Sequence, residues 1–145
     1  MIEKHYWKIK QAALDIDLCV VSKHHSIEEI QSYYDAGERI FAENRSTELI
    51  FKAGTLPKDI AWHYIGHLQR NKVKEILPIV SCIQSLDNIA LAKVIEKEAT
   101  KLNRTVNVLI ELHLADEDTN KSGLDPADVD MFTNFLLQEC PHISI

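Results

Sequence analysis

Five times along this chain a short apolar run rich in β-branched residues gives way to a stretch with helical periodicity, and a sixth run closes it. The runs occupy residues 17–22, 39–42, 60–65, 80–83, 105–112 and 142–145. They are nearly continuous in apolar character, as strands of a parallel sheet covered on both faces should be. Helix signals fall between them. Ser26 with Glu29 makes a capping box, and Gly37 supplies the stop. Asn44 is placed to cap the next helix, which Gly54 and Pro57 end. Pro78 ends a basic helix beginning near Leu68. Asp87 is placed to cap a long helix whose stripe is Ile89, Leu91, Ala92, Ile95, Ala99 and Leu102. Pro126 lies near the start of the last helix.

Alternating strand and helix predicts a parallel α/β architecture. An open doubly wound sheet and a closed barrel both satisfy the pattern. No GxGxxG follows the first strand, which removes the best sign of a dinucleotide fold, and the regular spacing of the units favours a barrel. A whole barrel takes about 200 to 250 residues. The 145 residues here supply five βα units and the start of a sixth strand. The expectation is one domain over residues 1–145, an incomplete barrel without its C-terminal strands, whose last strand is an exposed sheet edge.

Composition narrows the function classes. The chain is 46% hydrophobic and 26% charged, ordinary for a domain with a real core. A formal net charge of -6 argues against a nucleic-acid partner, since an acidic surface repels phosphate backbones. No apolar run approaches the length of a membrane span, and the opening MIEKHYWKIK has no signal-peptide core. Cys19, Cys82 and Cys140 are far apart and odd in number, which fits core thiols in a reducing cytoplasm better than a disulfide framework or a zinc site.

In either layout ligands bind at the C-terminal ends of the strands. There the sequence places Ser22, Lys23, His24 and His25, then Glu43, Asn44 and Arg45. His63 lies in the third run, with Gly66, His67, Gln69 and Arg70 after it. Ser85, Asp87, His113, Lys121 and Gly123 follow the later runs. Lys23 is the most pointed of these. A lysine just past a buried strand, if partly desolvated, becomes a carbonyl nucleophile; the plain reading is a side chain snorkelling into water, and on position alone the plain reading is preferred. His63 and His67 have the spacing of helical zinc ligands, but Tyr64 stands where HExxH needs glutamate and Gly66 opposes a helix, so no metal site is assigned. His63 then reads as a core histidine. Arg70, Lys72 and Lys74 read as a solvated helix face, with a phosphate clamp or RNA contact as the sharper alternative. Asp116, Glu117 and Asp118 read as a solvated acidic loop.

Four strings occur in order: VVSK at residues 20–23, FAEN at 41–44, WHYIGHLQRNK at 62–72 and KSG at 121–123. Together they resemble the pyridoxal phosphate homeostasis proteins, the YggS/PROSC group, from about Leu18 to the C-terminus. The resemblance implies a (β/α)8 TIM barrel of the alanine racemase N-terminal type. It implies pyridoxal 5'-phosphate as cofactor, with Lys23 as the lysine that forms the Schiff base. It places Asn44, His63, Gly66, His67 and Lys121 along the cofactor-binding rim and assigns no catalytic residue. Ala42 departs from the family's FGEN glycine, which predicts some loss of backbone freedom there, and His113 stands in place of the family's asparagine. The family's GLM motif and the later loops that hold the cofactor phosphate have no counterpart in these residues.

The function implied is intracellular cofactor buffering or delivery, with pyridoxal phosphate and the apoenzymes that use it as partners. Racemisation needs acid/base groups on both faces of the cofactor, and this length has no room for the second domain that supplies one of them. A racemase-like enzyme using His63 or Lys121, and a non-catalytic interaction or RNA-binding module using Arg70, Lys72 and Lys74, are the alternatives. Cofactor binding weaker than that of a complete barrel, and self-association through the edge near Ile143 and Ile145, are expected.

Overall fold

The computed structural model describes residues 4–12, 16–114 and 122–145. Six strands lie parallel in one sheet, in sequence order: β1 (Val20–Val21), β2 (Ile40–Glu43), β3 (Ala61–Tyr64), β4 (Val80–Leu86), β5 (Val106–Ile110) and β6 (Ile143–Ser144). Each expected run carries a strand. The order decides between the two layouts. A doubly wound sheet reverses its strand order at a switch point and takes helices on both faces. An unbroken order of right-handed crossovers keeps every helix on one side, which is an arc of an α/β barrel.

The register shows what each face buries. Val20, Phe41, Trp62 and Val80 align across the first four strands and Val106 aligns with Ile143 across the last two, and all six join the hydrophobic core beneath the helices. Val21, Ala42, His63, Cys82, Asn107 and Ser144 form the alternate row. The expected cover on both faces is corrected to a partial one: Val21 is 45% and Leu109 52% exposed on the second face, while Ala42 at 0% and Cys82 at 8% stay buried there.

The helices follow from local chemistry. α1 (Lys4–Ala12) had no sequence expectation; it docks through Tyr6, whose hydroxyl donates to the buried Glu38 carboxylate at 2.6 Å, and through Lys10 on the same carboxylate. α2 (Ile27–Asp35) carries the expected capping box, and Gly37 sits just past its end at φ +104°. α3 (Ser46–Thr55) is not capped by Asn44, because Arg45 occupies the cap position and the Asn44 Oδ1 is buried at the strand end. The basic segment makes a 3-10 turn, Arg70–Lys72, and one turn of helix, α4 (Val73–Ile76). α5 (Ile89–Leu102) is capped by Asn88 rather than Asp87: the Asn88 Oδ1 accepts from the Leu91 N–H at 2.8 Å, while Asp87 accepts from the Asn88 amide. Its buried stripe is Leu91, Ala92, Ile95 and Ala99, and Leu102 stands 44% exposed. Pro126 opens a 3-10 turn leading into α6 (Val129–Glu139). Among the described residues no helix is long and apolar enough to cross a membrane.

Candidate functional site

Lys23 lies in a tight turn between β1 and α2. The Ser22 carbonyl accepts from the His25 N–H at 3.1 Å, and His24 takes φ +65°, the left-handed third position that a type II turn requires. Lys23 is exposed at this strand end.

Beneath this turn the chain is polar and buried. The Glu43 side chain, at the end of β2, is 0% exposed, and Lys52, from the middle of α3, is 5% exposed. Lys52 Nζ donates to Glu43 Oε1 at 2.6 Å and to the Ser22 carbonyl at 2.8 Å. The Ser22 hydroxyl donates to the same Glu43 oxygen at 2.7 Å. Glu48 lies 3.5 Å from Lys52 Nζ and from the His24 backbone nitrogen. Reading the sequence placed Glu43 at the strand end without giving it a partner, and it missed Lys52 altogether, since a lysine in mid-helix looks like a solvated one. The one available signal was a carboxylate inside an otherwise apolar strand.

The next two strand ends touch each other. The Tyr64 hydroxyl donates to the Asn44 carbonyl at 3.1 Å. A Cβ built on Gly66 would stand 2.3 Å from the same carbonyl oxygen, so only glycine lets the loop after β3 lie on Asn44. The Asn44 Oδ1 is buried without a hydrogen-bond partner. His63, in β3, is flanked in register by Ala42 and Cys82, and its Nδ1 is 2.8 Å from the Gln84 amide, a neighbour the sequence did not flag. Burial holds the His63 imidazole below the usual histidine range. Ala42 has no left-handed backbone, so the expected cost of replacing glycine there is not realised.

His67 does not join this cluster. It is exposed and lines a separate open cleft of about 800 Å³ with Gln69, Arg70, Asn71 and Asn88. His63 is in a strand and His67 in a loop, so the helical metal-ligand spacing does not apply. The residues after β5 fold back on it: the His113 N–H donates to the Leu124 carbonyl, and the Leu124 N–H to the Glu111 carbonyl. Gly123, at φ +127°, allows this approach, since a Cβ there would meet the His113 nitrogen at 2.6 Å. Lys121 lies outside the described residues. The Ser85 Oγ and one Glu111 carboxylate oxygen, both near the same strand ends, are buried without partners.

No protein-family model matches the chain. It is 38% identical over 119 residues to the pyridoxal phosphate homeostasis protein of Aquifex aeolicus, covering 81% of this chain and 51% of that one. The chain thus spans about half the length of the curated relatives it matches. The solved structure of PipY, the COG0325 family member of Synechococcus elongatus PCC7942, without PLP, superposes with a TM-score of 0.91 at 32% identity, covering 100% of this chain and 68% of PipY. PipY with PLP bound gives 0.81 at 29% identity, covering 96% of this chain and 66% of PipY. Alanine racemase from Streptomyces coelicolor A3(2) shares the fold, with a TM-score of 0.75 at 16% identity over 94% of this chain and 38% of the racemase.

Proposed function

The chain belongs to the COG0325 family, that of the pyridoxal phosphate homeostasis proteins, and on that premise we propose that it binds pyridoxal 5'-phosphate reversibly at Lys23 and serves to buffer or deliver it. The observation that carries the proposal is Lys23 on a turn anchored from below, at the C-terminal end of the first strand of a barrel arc that superposes on PLP-bound PipY.

The residues present fit such a ligand. The Asn44 Oδ1, buried and without a partner, offers an acceptor for a polar group of the ligand. Gly66 lets the loop after β3 lie directly on the Asn44 backbone, which any side chain there would displace. His63 is kept neutral by burial and steadied by Gln84, so it offers a hydrogen bond and no added positive charge. His67, which lines a separate cleft with Arg70, and Lys121 are proposed on resemblance alone. When bound, pyridoxal phosphate supplies an aldehyde that takes up a primary amine reversibly. Lys23 presents that amine in water, where exchange with incoming amines is unobstructed. The same exposure supports hand-over to apoenzymes as the destination of the cofactor. Three free thiols support a reducing cytoplasm as its setting.

Titration with pyridoxal phosphate, followed by absorbance, borohydride reduction and peptide mapping, tests this. A saturable visible band with the label on Lys23, lost in Lys23→Ala, is the expected result. Label scattered over surface lysines, or a band that survives Lys23→Ala, overturns it.

A further inference from the structure

We infer that Glu43 and Lys52 are positioning residues for Lys23: a buried ion pair that holds the turn between β1 and α2 and so fixes where its amine stands. The inference rests on the reading of Lys23 as the cofactor amine. The Ser22 carbonyl, one residue before Lys23, is held by two donors. One is the His25 N–H of the turn itself, at 3.1 Å; the other is Lys52 Nζ, at 2.8 Å, thirty residues away on α3. Glu43 Oε1 completes the frame, accepting from Lys52 at 2.6 Å and from the Ser22 hydroxyl at 2.7 Å. Strand, helix and turn thus meet on a few polar atoms directly under Lys23.

Packing does not call for this pair. Apolar residues of similar volume in place of a buried ion pair are often neutral or stabilising, because both charges must leave water. Here the second Glu43 oxygen is also buried without a partner, which adds to that cost. What the charges supply and apolar side chains do not is directional hold on a backbone carbonyl. That is the requirement of a turn whose exposed lysine has to stand in one place.

The test uses the full chain with Lys52→Met, Lys52→Arg, Ser22→Ala and Leu49→Ala. The last removes a buried α3 side chain and leaves both charges, so it reports general destabilisation. Circular dichroism checks folding, hydrogen exchange at the His25 amide reports the turn, and absorbance titration with pyridoxal phosphate reports the site. In Lys52→Met, exchange at His25 is expected to rise and cofactor affinity to fall by about tenfold or more, as for loss of one partner of a buried pair. Lys52→Arg is expected to recover most of both, and Leu49→Ala to leave both near wild type. A folded Lys52→Met with wild-type exchange and affinity overturns the inference. Should Lys52→Met fail to fold, Ser22→Ala decides: it cuts the hydroxyl tie to Glu43, and unchanged exchange and affinity overturn the inference equally. If the wild-type chain takes up no pyridoxal phosphate, the proposed function fails, and exchange at His25 still decides whether the pair holds the turn.

Discussion

His63 links the site to pH. Burial disfavours its charged form, so the folded chain binds a proton there less readily than the unfolded chain, whose histidine titrates near 6.5. As pH falls through 6.5 the unfolded state takes up that proton first, and stability is lost between the unfolded value and the lower folded one. His63→Gln removes this contribution. Thermal melts at pH 7 and pH 5 should therefore show a smaller acid-induced drop in the variant than in wild type, and equal drops would mean that His63 is not shielded. Gly66 makes a second prediction at this scale. A Cβ cannot stand 2.3 Å from the Asn44 carbonyl oxygen, so Gly66→Ala must push the loop off Asn44. It should destabilise by about 1–3 kcal/mol, the range for overpacking against backbone. Denaturant unfolding with an unchanged midpoint would contradict the contact. Gly66 was legible in the sequence as a residue following the third strand, but the reason for a glycine there was not. The partner it excludes a side chain from lies on another strand, and no local pattern reports it. The same holds for His24, whose left-handed backbone nothing in its residue type announces.

At the scale of elements, one residue separates the expected cap of α5 from the observed one. Asp87 and Asn88 are both good capping residues, and sequence cannot rank neighbours when either could start the helix. The structure gives the role to Asn88, whose Oδ1 holds the Leu91 N–H. Asn88→Ala should cost about 1 kcal/mol, and Asp87→Ala about 0.5 kcal/mol or less, as for a surface change away from a cap. Chemical denaturation of both variants checks the ranking, and the reverse order would return the cap to Asp87. Strands and amphipathic helices were legible because period and turn chemistry are local properties of the chain. Val80 to Ile83 marked β4 in this way, while its extension to Leu86 passed through Gln84 and Ser85, polar residues that only their surroundings make strand-like. The helix α1 escaped notice because its hold on the domain, Tyr6 on Glu38, is tertiary. Of the candidate site, the strand-end residues were readable from topology alone. The ion pair beneath them joins residues from β2 and α3, and its lysine looks like any exposed one until the fold buries it.

Taken as a whole, the sheet is an arc with two ends. Among the described residues β1 pairs with β2 alone and β6 with β5 alone, so a row of backbone donors and acceptors is left unpaired at each edge. The face away from the helices adds exposed apolar side chains, Val21 at 45% and Leu109 at 52%, and Ile145, just past β6 at the edge, is 51% exposed. Edges and apolar faces of this kind recruit other chains. The net charge of -6 opposes close approach of two copies, but that repulsion is long-ranged and screened by salt, whereas strand pairing is short-ranged and is not. The balance predicts self-association that grows with protein concentration and with added salt. Ile145→Lys should weaken it, because a lysine at the edge brings like charges together just where a second strand would dock. Sedimentation velocity across a concentration series, at low and moderate salt, reads the outcome directly. A chain that stays monomeric throughout would mean that the short β6 and the acidic surface already protect the edge. An assembly indifferent to Ile145→Lys would place the contact on β1 or on the uncovered face instead.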